Sequence, residues 1–154
     1  MSSEPTKIEF DQPVEIIFRR STVDDIPEVF RFLEGFMQLQ QILPRSPEQV
    51  AALLPYSQLA YHQGHVIGFV AVEIYSHKLA EIQCLCVDSN FQRQGIGKRL
   101  VRFCVEVTRE EGILELMAIS ASEYFLMDCG FDYSLPGQKR ALFIQPQETS
   151  SDEP

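Results

Sequence analysis

The sequence contains no run of about 18 apolar residues, so a membrane-spanning helix is not expected. Its first residues, M-S-S-E-P-T, show no basic region followed by an apolar stretch, and a secretory leader is not expected either. The four cysteines (Cys84, Cys86, Cys104 and Cys129) form no C-x-x-C pair and lie within apolar runs. They read as buried reduced thiols rather than a disulfide framework. His62 and His65 do not combine with Cys84 and Cys86 at zinc-like spacing, and no metal is expected. Basic charge is scarce: 13 Lys and Arg face 22 Asp and Glu, a formal net charge of −9. That balance speaks against the broad basic face that nucleic-acid binding needs. Neither an internal repeat nor a linker is visible. Together these absences predict a cytoplasmic protein that handles a small molecule.

What is present is a chain of 154 residues, 45% hydrophobic and 23% charged, long enough for one domain with a real core. Residues 1–12 read as an acidic N-terminal tail, 13–145 as the domain, and 146–154 as an acidic tail that is expected to be disordered. The segment V-E-I-I-F-R-R (14–20) predicts a strand. Ser21 or Thr22 then caps a helix carrying Ile26, Val29, Phe30 and Leu33 at helical spacing. Ser46 and Pro47 start a second helix. The pair Gln63-Gly64 predicts a hairpin turn between S-Q-L-A-Y-H and H-V-I-G-F-V-A-V-E-I. L-A-E-I-Q-C-L-C-V-D is a further strand, whose Leu79, Glu81, Gln83, Leu85 and Val87 should share one face by strict alternation. A helix from Lys98 ends at Gly112, I-L-E-L-M-A-I is a strand, and S-E-Y-F-L-M-D-C is a short helix. G-F-D-Y and R-A-L-F-I complete the list as final strands. The fold class is α/β (α+β), a mixed and mostly antiparallel sheet flanked by helices.

One stretch reverses the charge. Residues 89–105 hold Arg93, Lys98, Arg99 and Arg102 and no acid, around N-F-Q-R-Q-G-I-G-K-R-L. A strand, a short loop and a helix opening on two glycines is an arrangement for an anion. The first helical N–H groups lack intrahelical acceptors, the helix dipole adds partial positive charge, and glycine allows close approach. The P-loop pattern fails because position 92 is Gln and Arg99 stands where a hydroxyl residue is needed. The dinucleotide G-x-G-x-x-G fails because position 100 is Leu. What matches is Q/R-x-x-G-x-G/A, on Gln92, Gly95 and Gly97.

With L-C-V-D-S-N-F running into that motif and F-L-M-D-C-G-F following later, the chain resembles the GNAT superfamily of acetyl-CoA-dependent N-acetyltransferases over nearly all of residues 14–145. The resemblance implies the GNAT fold and acetyl-CoA as co-substrate. It implies that the pyrophosphate of coenzyme A is held by the loop and first helical turn, here Gln92, Arg93, Gln94, Gly95, Ile96, Gly97 and Lys98. The backbone of Leu85, Cys86 and Val87 would pair with the pantetheine arm.

Acetyl transfer to an amine needs a base, a polarised thioester carbonyl and a proton for the departing thiolate. Glu81, in A-E-I-Q-C-L-C-V, is the candidate base, and a backbone N–H near Leu85 or Cys86 the candidate polarising group. Leu126 stands where many family members carry a tyrosine, which leaves Tyr124, Ser120, Ser122 or bulk water as candidate acid. An acetyl-cysteine route through Cys86 or Cys129 has no paired histidine nearby in sequence, and packing is the simpler role for both. The stretches L-P-R-S-P-E-Q-V (43–50), A-E-I-Q-C-L-C-V (80–87) and L-P-G-Q-K-R-A-L-F (135–143) are similar to the acetyltransferase domain of N-acetylglutamate synthases. That similarity implies glutamate as acceptor, with Arg45 and Ser46 near its carboxylates. Gln147 stands where those synthases continue with an arginine. A protein acetyltransferase acting on lysine or an N-terminus, and an acetyl-CoA-binding module with little turnover, remain as alternatives. An exposed edge strand would allow a homodimer.

Overall fold

The computed structural model describes residues 15–120, 122–133 and 142–146. The chain divides into two compact units, residues 1–121 and 122–154.

The first unit is a five-stranded sheet with helices on both faces. Its elements run β1 (Ile17–Arg20), α1 (Ile26–Gln38), α2 (Pro47–Leu53), β2 (Ser57–His62), β3 (His65–Ile74), β4 (Leu79–Val87), α3 (Ile96–Glu110) and β5 (Glu115–Met117). The strands lie in sequence order, β1 to β4 antiparallel and β4 to β5 parallel. The mixed, mostly antiparallel sheet expected from the sequence is therefore present.

Local chemistry explains most boundaries. Gln63 and Gly64 both have positive φ (48° and 77°), the pair of left-handed residues that a tight two-residue hairpin requires. Thr22 caps a short 3-10 turn, Val23–Asp25, and α1 follows directly with Pro27 in its first turn. Ser46 caps α2: its hydroxyl accepts from the Gln49 N–H at 3.2 Å while Gln49 Oε1 accepts from the Ser46 N–H at 2.8 Å, a reciprocal capping box. Beyond Glu110, Gly112 at φ 70° closes α3.

Two apolar clusters occupy the two faces of the sheet. On one, Val29 and Leu33 of α1 and Val50 and Leu53 of α2 gather over Leu59, Phe69, Ala71, Cys84 and Cys86. On the other, the α3 stripe of Ile96, Leu100, Phe103, Cys104 and Val107 covers Ala60, Val70, Val72 and Ala80. Each fully buried Leu or Val contributes on the order of 2 kcal/mol. Gly68 lets α3 sit close: a Cβ there would lie 3.2 Å from Ile96 Cγ2 and 3.2 Å from Leu100 Cδ1.

The second unit contains α4 (Glu123–Asp128), with Leu126 buried and Tyr124 79% exposed. The final strands predicted at G-F-D-Y and R-A-L-F-I are not seen among the described residues. The chain leaves α4 through Gly130 (φ 96°), residues 131–133 make no ladder, and 142–145 have no regular structure. Residues 134–141, with most of L-P-G-Q-K-R-A-L-F, lie outside the described residues.

Candidate active site

The centre of the site is β4, and the decisive local feature is a bulge. Phe69 pairs with Cys86 but Ala71 pairs with Gln83, so Cys84 and Leu85 together oppose Val70. Cys84 takes φ 55°, a left-handed conformation uncommon for a side-chain-bearing residue, and absorbs the extra position. The alternation expected along this strand breaks there. Gln83, opposite Ala71, shares its face with Cys84 and Cys86 in the cluster under α1 and α2. Leu85 and Val87 join the cluster under α3. The prediction that Glu81 points the same way as Leu85 and Val87 is thus corrected: a bulge shifts the parity of every residue after it.

β5 pairs with β4 through Leu79, Ala80 and Glu81 alone. Beyond Glu81, no strand among the described residues covers that edge of β4, because β5 ends at Met117. Among the described residues the backbone of 82–87 has no ladder partner on that side, and an unpaired edge of this kind can accept an extended amide-bearing chain.

At the far end of β4, Arg93 (φ 67°) and Gly95 (φ 76°) both adopt left-handed conformations on either side of Gln94. Alternating hands of this kind turn successive N–H groups toward one concavity. The α3 helix starts at Ile96 with Gly95 as a cap that has no side chain to fill the space, and no acid stands in the first turn. Its first helical hydrogen bond runs from the Arg99 N–H to the Gly95 carbonyl at 3.1 Å, so the N–H groups of Ile96, Gly97 and Lys98 have no acceptor within the helix. Lys98 is exposed, whereas the Arg99 guanidinium lies over the Phe18 ring at 4.1 Å from its centroid. Arg99 is committed to packing on β1, and Lys98 and Arg93 are the cations left near the loop.

At the near end, five side chains meet. Glu81 Oε1 accepts from the Tyr75 hydroxyl at 2.6 Å and from Gln83 Nε2 at 3.0 Å. Gln83 Nε2 also lies 3.1 Å from Glu73 Oε2, and Glu73 is the register partner of Glu81 across the β3–β4 ladder. Arg45 Nη2 donates to Gln83 Oε1 at 2.6 Å, from 38 positions away in the chain. The loop that ends on the Ser46 cap brings it there. Burial, and then the Glu81 and Glu73 carboxylates, push the Tyr75 hydroxyl up to about 12, so it remains a donor through the neutral range. Burial raises the Cys84 thiol, with Arg45 opposing, and raises the Cys86 thiol further. Neither favours the thiolate that covalent catalysis would require.

Of the residues predicted from sequence, the fold brings Glu81 and Arg45 to one face, linked by Gln83. Ser46 serves as the α2 cap. Tyr124 belongs to the second unit. Sequence reasoning missed Glu73 and Tyr75. The signal was available: counting back from the Tyr75–Lys78 connection puts Glu73 opposite Glu81.

The acetyltransferase (GNAT) family profile matches residues 22–131. The chain belongs to the GNAT acetyltransferase family. It is 32% identical over 113 residues to an uncharacterized N-acetyltransferase of Chlorobaculum tepidum, covering 73% of each protein. It is 24% identical over 128 residues to an amino-acid acetyltransferase of Pasteurella multocida, covering 79% of this chain and 29% of that protein. Among solved structures, the N-acetylglutamate synthase of Neisseria gonorrhoeae, complexed with coenzyme A and N-acetyl-glutamate, matches with a TM-score of 0.67 and 25% identity. That match covers 76% of this chain and 28% of the synthase. The GNAT chain thus spans less than a third of these two larger enzymes. Among its described residues, no helix is long and apolar enough to cross a membrane.

Proposed function

We propose that this GNAT acetyltransferase transfers acetyl from acetyl-CoA to the amine of a small amino acid, with glutamate the leading acceptor, in a direct ternary-complex reaction. The observation that carries the reading is the meeting of Glu81 and Arg45 through Gln83, beside the open edge of β4. An amino acid at neutral pH offers an ammonium and at least one carboxylate. Glu81 suits the first. Arg45 suits the second, since its guanidinium has five N–H donors and gives one to Gln83 Oε1.

In this reading the pyrophosphate of coenzyme A sits on the amides from Arg93 to Lys98, with Gln92 at the start of the loop. The pantetheine arm pairs with the open ladder at Leu85, Cys86 and Val87. Glu81 takes a proton from the acceptor ammonium, and the freed amine attacks the thioester carbonyl carbon. A backbone N–H near Leu85 or Cys86 stabilises the oxyanion. The carbon–sulfur bond then breaks, the nitrogen sheds its second proton, water relays a proton to the departing thiolate, and the products are an N-acetyl amino acid and coenzyme A.

The test is thiol release from acetyl-CoA, followed from pH 7 to 9 with free amino acids, aminoglycosides and lysine peptides as acceptors. Release with glutamate, and little with glutamine or peptides, is the expected result. Release with peptides alone would overturn the amino-acid reading and assign the two carboxylates, Glu73 and Glu81, to a basic side chain. Tight acetyl-CoA binding with no release would leave a binding module.

A further inference from the structure

Gln83 occupies an unusual electrostatic position. Its carbonyl oxygen faces the Arg45 guanidinium at 2.6 Å, while its amide nitrogen faces Glu81 at 3.0 Å and Glu73 at 3.1 Å. The Arg45 guanidinium bonds the neutral member of this group, the Gln83 carbonyl, and that amide links it to the two carboxylates. We infer that Gln83 is a positioning residue that keeps Arg45 and the Glu81 carboxylate from neutralising each other, so that a zwitterionic acceptor meets two charges that are both available. The inference rests on the acceptor reading above, and it extends that reading to a residue outside the reaction itself.

The side-chain inventory leaves few substitutes at this position. An amide is an uncharged group that accepts through its oxygen and donates two protons through its nitrogen, enough for both carboxylates. A glutamate would pair with Arg45 and repel Glu81 and Glu73. A methionine has the length but no proton to donate, and Arg45 would be released toward the carboxylates. Asparagine is one methylene short of spanning both.

Among the described residues, the hydrogen-bond and register partners of Glu81 are few. From β3 come Glu73, its register partner, and the Tyr75 hydroxyl, which donates at 2.6 Å. Its own strand supplies Gln83, with Arg45 beyond. From β5 the register partner is Met117, which carries no charge. The balance at Glu81 is therefore set by one like charge, two neutral donors, and one cation held off by an amide.

The experiment compares wild type with Gln83→Glu and Gln83→Met. The Glu81 carboxyl is titrated by carbon-13 NMR in each, without substrate, and steady-state kinetics are measured with glutamate and acetyl-CoA. In Gln83→Glu the added carboxylate should raise the Glu81 titration midpoint by about one pH unit. The KM for glutamate should rise about tenfold while that for acetyl-CoA stays within about twofold. In Gln83→Met the freed Arg45 should move the Glu81 midpoint downward, with kcat at neutral pH falling and the acetyl-CoA KM again unchanged. Shifted midpoints without turnover of any amino acid would remove the acceptor assignment and keep the role of Gln83. An unmoved Glu81 midpoint in both variants would overturn that role, whatever the turnover.

Discussion

Gly68→Ala tests how the anion cradle is seated. Gly68 lies in the middle of β3 opposite Val87, and its missing side chain is what lets α3 approach. An added Cβ would meet Ile96 and Leu100 at 3.2 Å each and Ala60 at 3.3 Å, below the roughly 3.4–4 Å of ordinary contact. Ile96 and Leu100 are both fully buried, so neither can swing aside. Overpacking of this kind costs about 1–3 kcal/mol, offset by about 0.4–1 from the stiffer unfolded chain. The net loss is about 1–2 kcal/mol, or a Tm lower by about 2–8 °C for a protein of this size. Ile96 is also the first helical residue, and its N–H belongs to the proposed pyrophosphate site. A displacement of a few tenths of an ångström should therefore weaken coenzyme A binding about threefold to tenfold, read by titration calorimetry well below the Tm. If Tm and Kd both match wild type, α3 does not rest on Gly68 as described. If Tm falls and Kd holds, the first turn does not contribute to binding.

Glu81→Gln should leave the Kd for coenzyme A unchanged and lower kcat about a hundredfold near pH 7, with the deficit shrinking as pH rises and more amine is free. A flat ratio across pH would remove Glu81 as base. Arg45→Lys, which keeps the charge and loses the planar fork, should raise the KM for glutamate about tenfold in the same kinetics, and an unchanged KM would place the acceptor carboxylate elsewhere. Acid unfolding should expose Asp25. Arg19 holds it with two 2.8 Å bonds, which keep its folded pKa below the ordinary aspartate value of 3.8. A lowered folded pKa adds stability that is present above about pH 3.8 and is lost as pH falls through the folded value. Asp25→Asn should flatten stability over that window in chemical denaturation, and an unaltered pH slope would count against the pair.

Legibility in the sequence followed the range of the interaction. Ser46 with Gln49, Gln63-Gly64 and Gly112 are decided within four residues, and each was readable. The glycine motif was readable because backbone conformation at Gly95 is written in residue type. Cys84 was not. A bulge on a glycine would have been marked, whereas here a cysteine takes the left-handed conformation and nothing in alternating hydrophobicity shows the slip. The Arg45–Gln83 bond joins residues 38 apart and exists only once α2 is docked. Tyr75 reads as an ordinary strand-end aromatic until the β3–β4 register places it against Glu81.

The edge of β4 that no described strand covers also bears on how the protein behaves in solution. An unpaired strand edge is a template for association with any other extended chain, and most proteins hide or charge such edges. From Ile82 to Val87 this one carries isoleucine, leucine, valine and two cysteines, and no charge. A co-substrate arm that pairs with it would act as a removable shield. Solubility on storage, and resistance to misassembly at high concentration, would then follow the supply of coenzyme A as much as the strength of the fold.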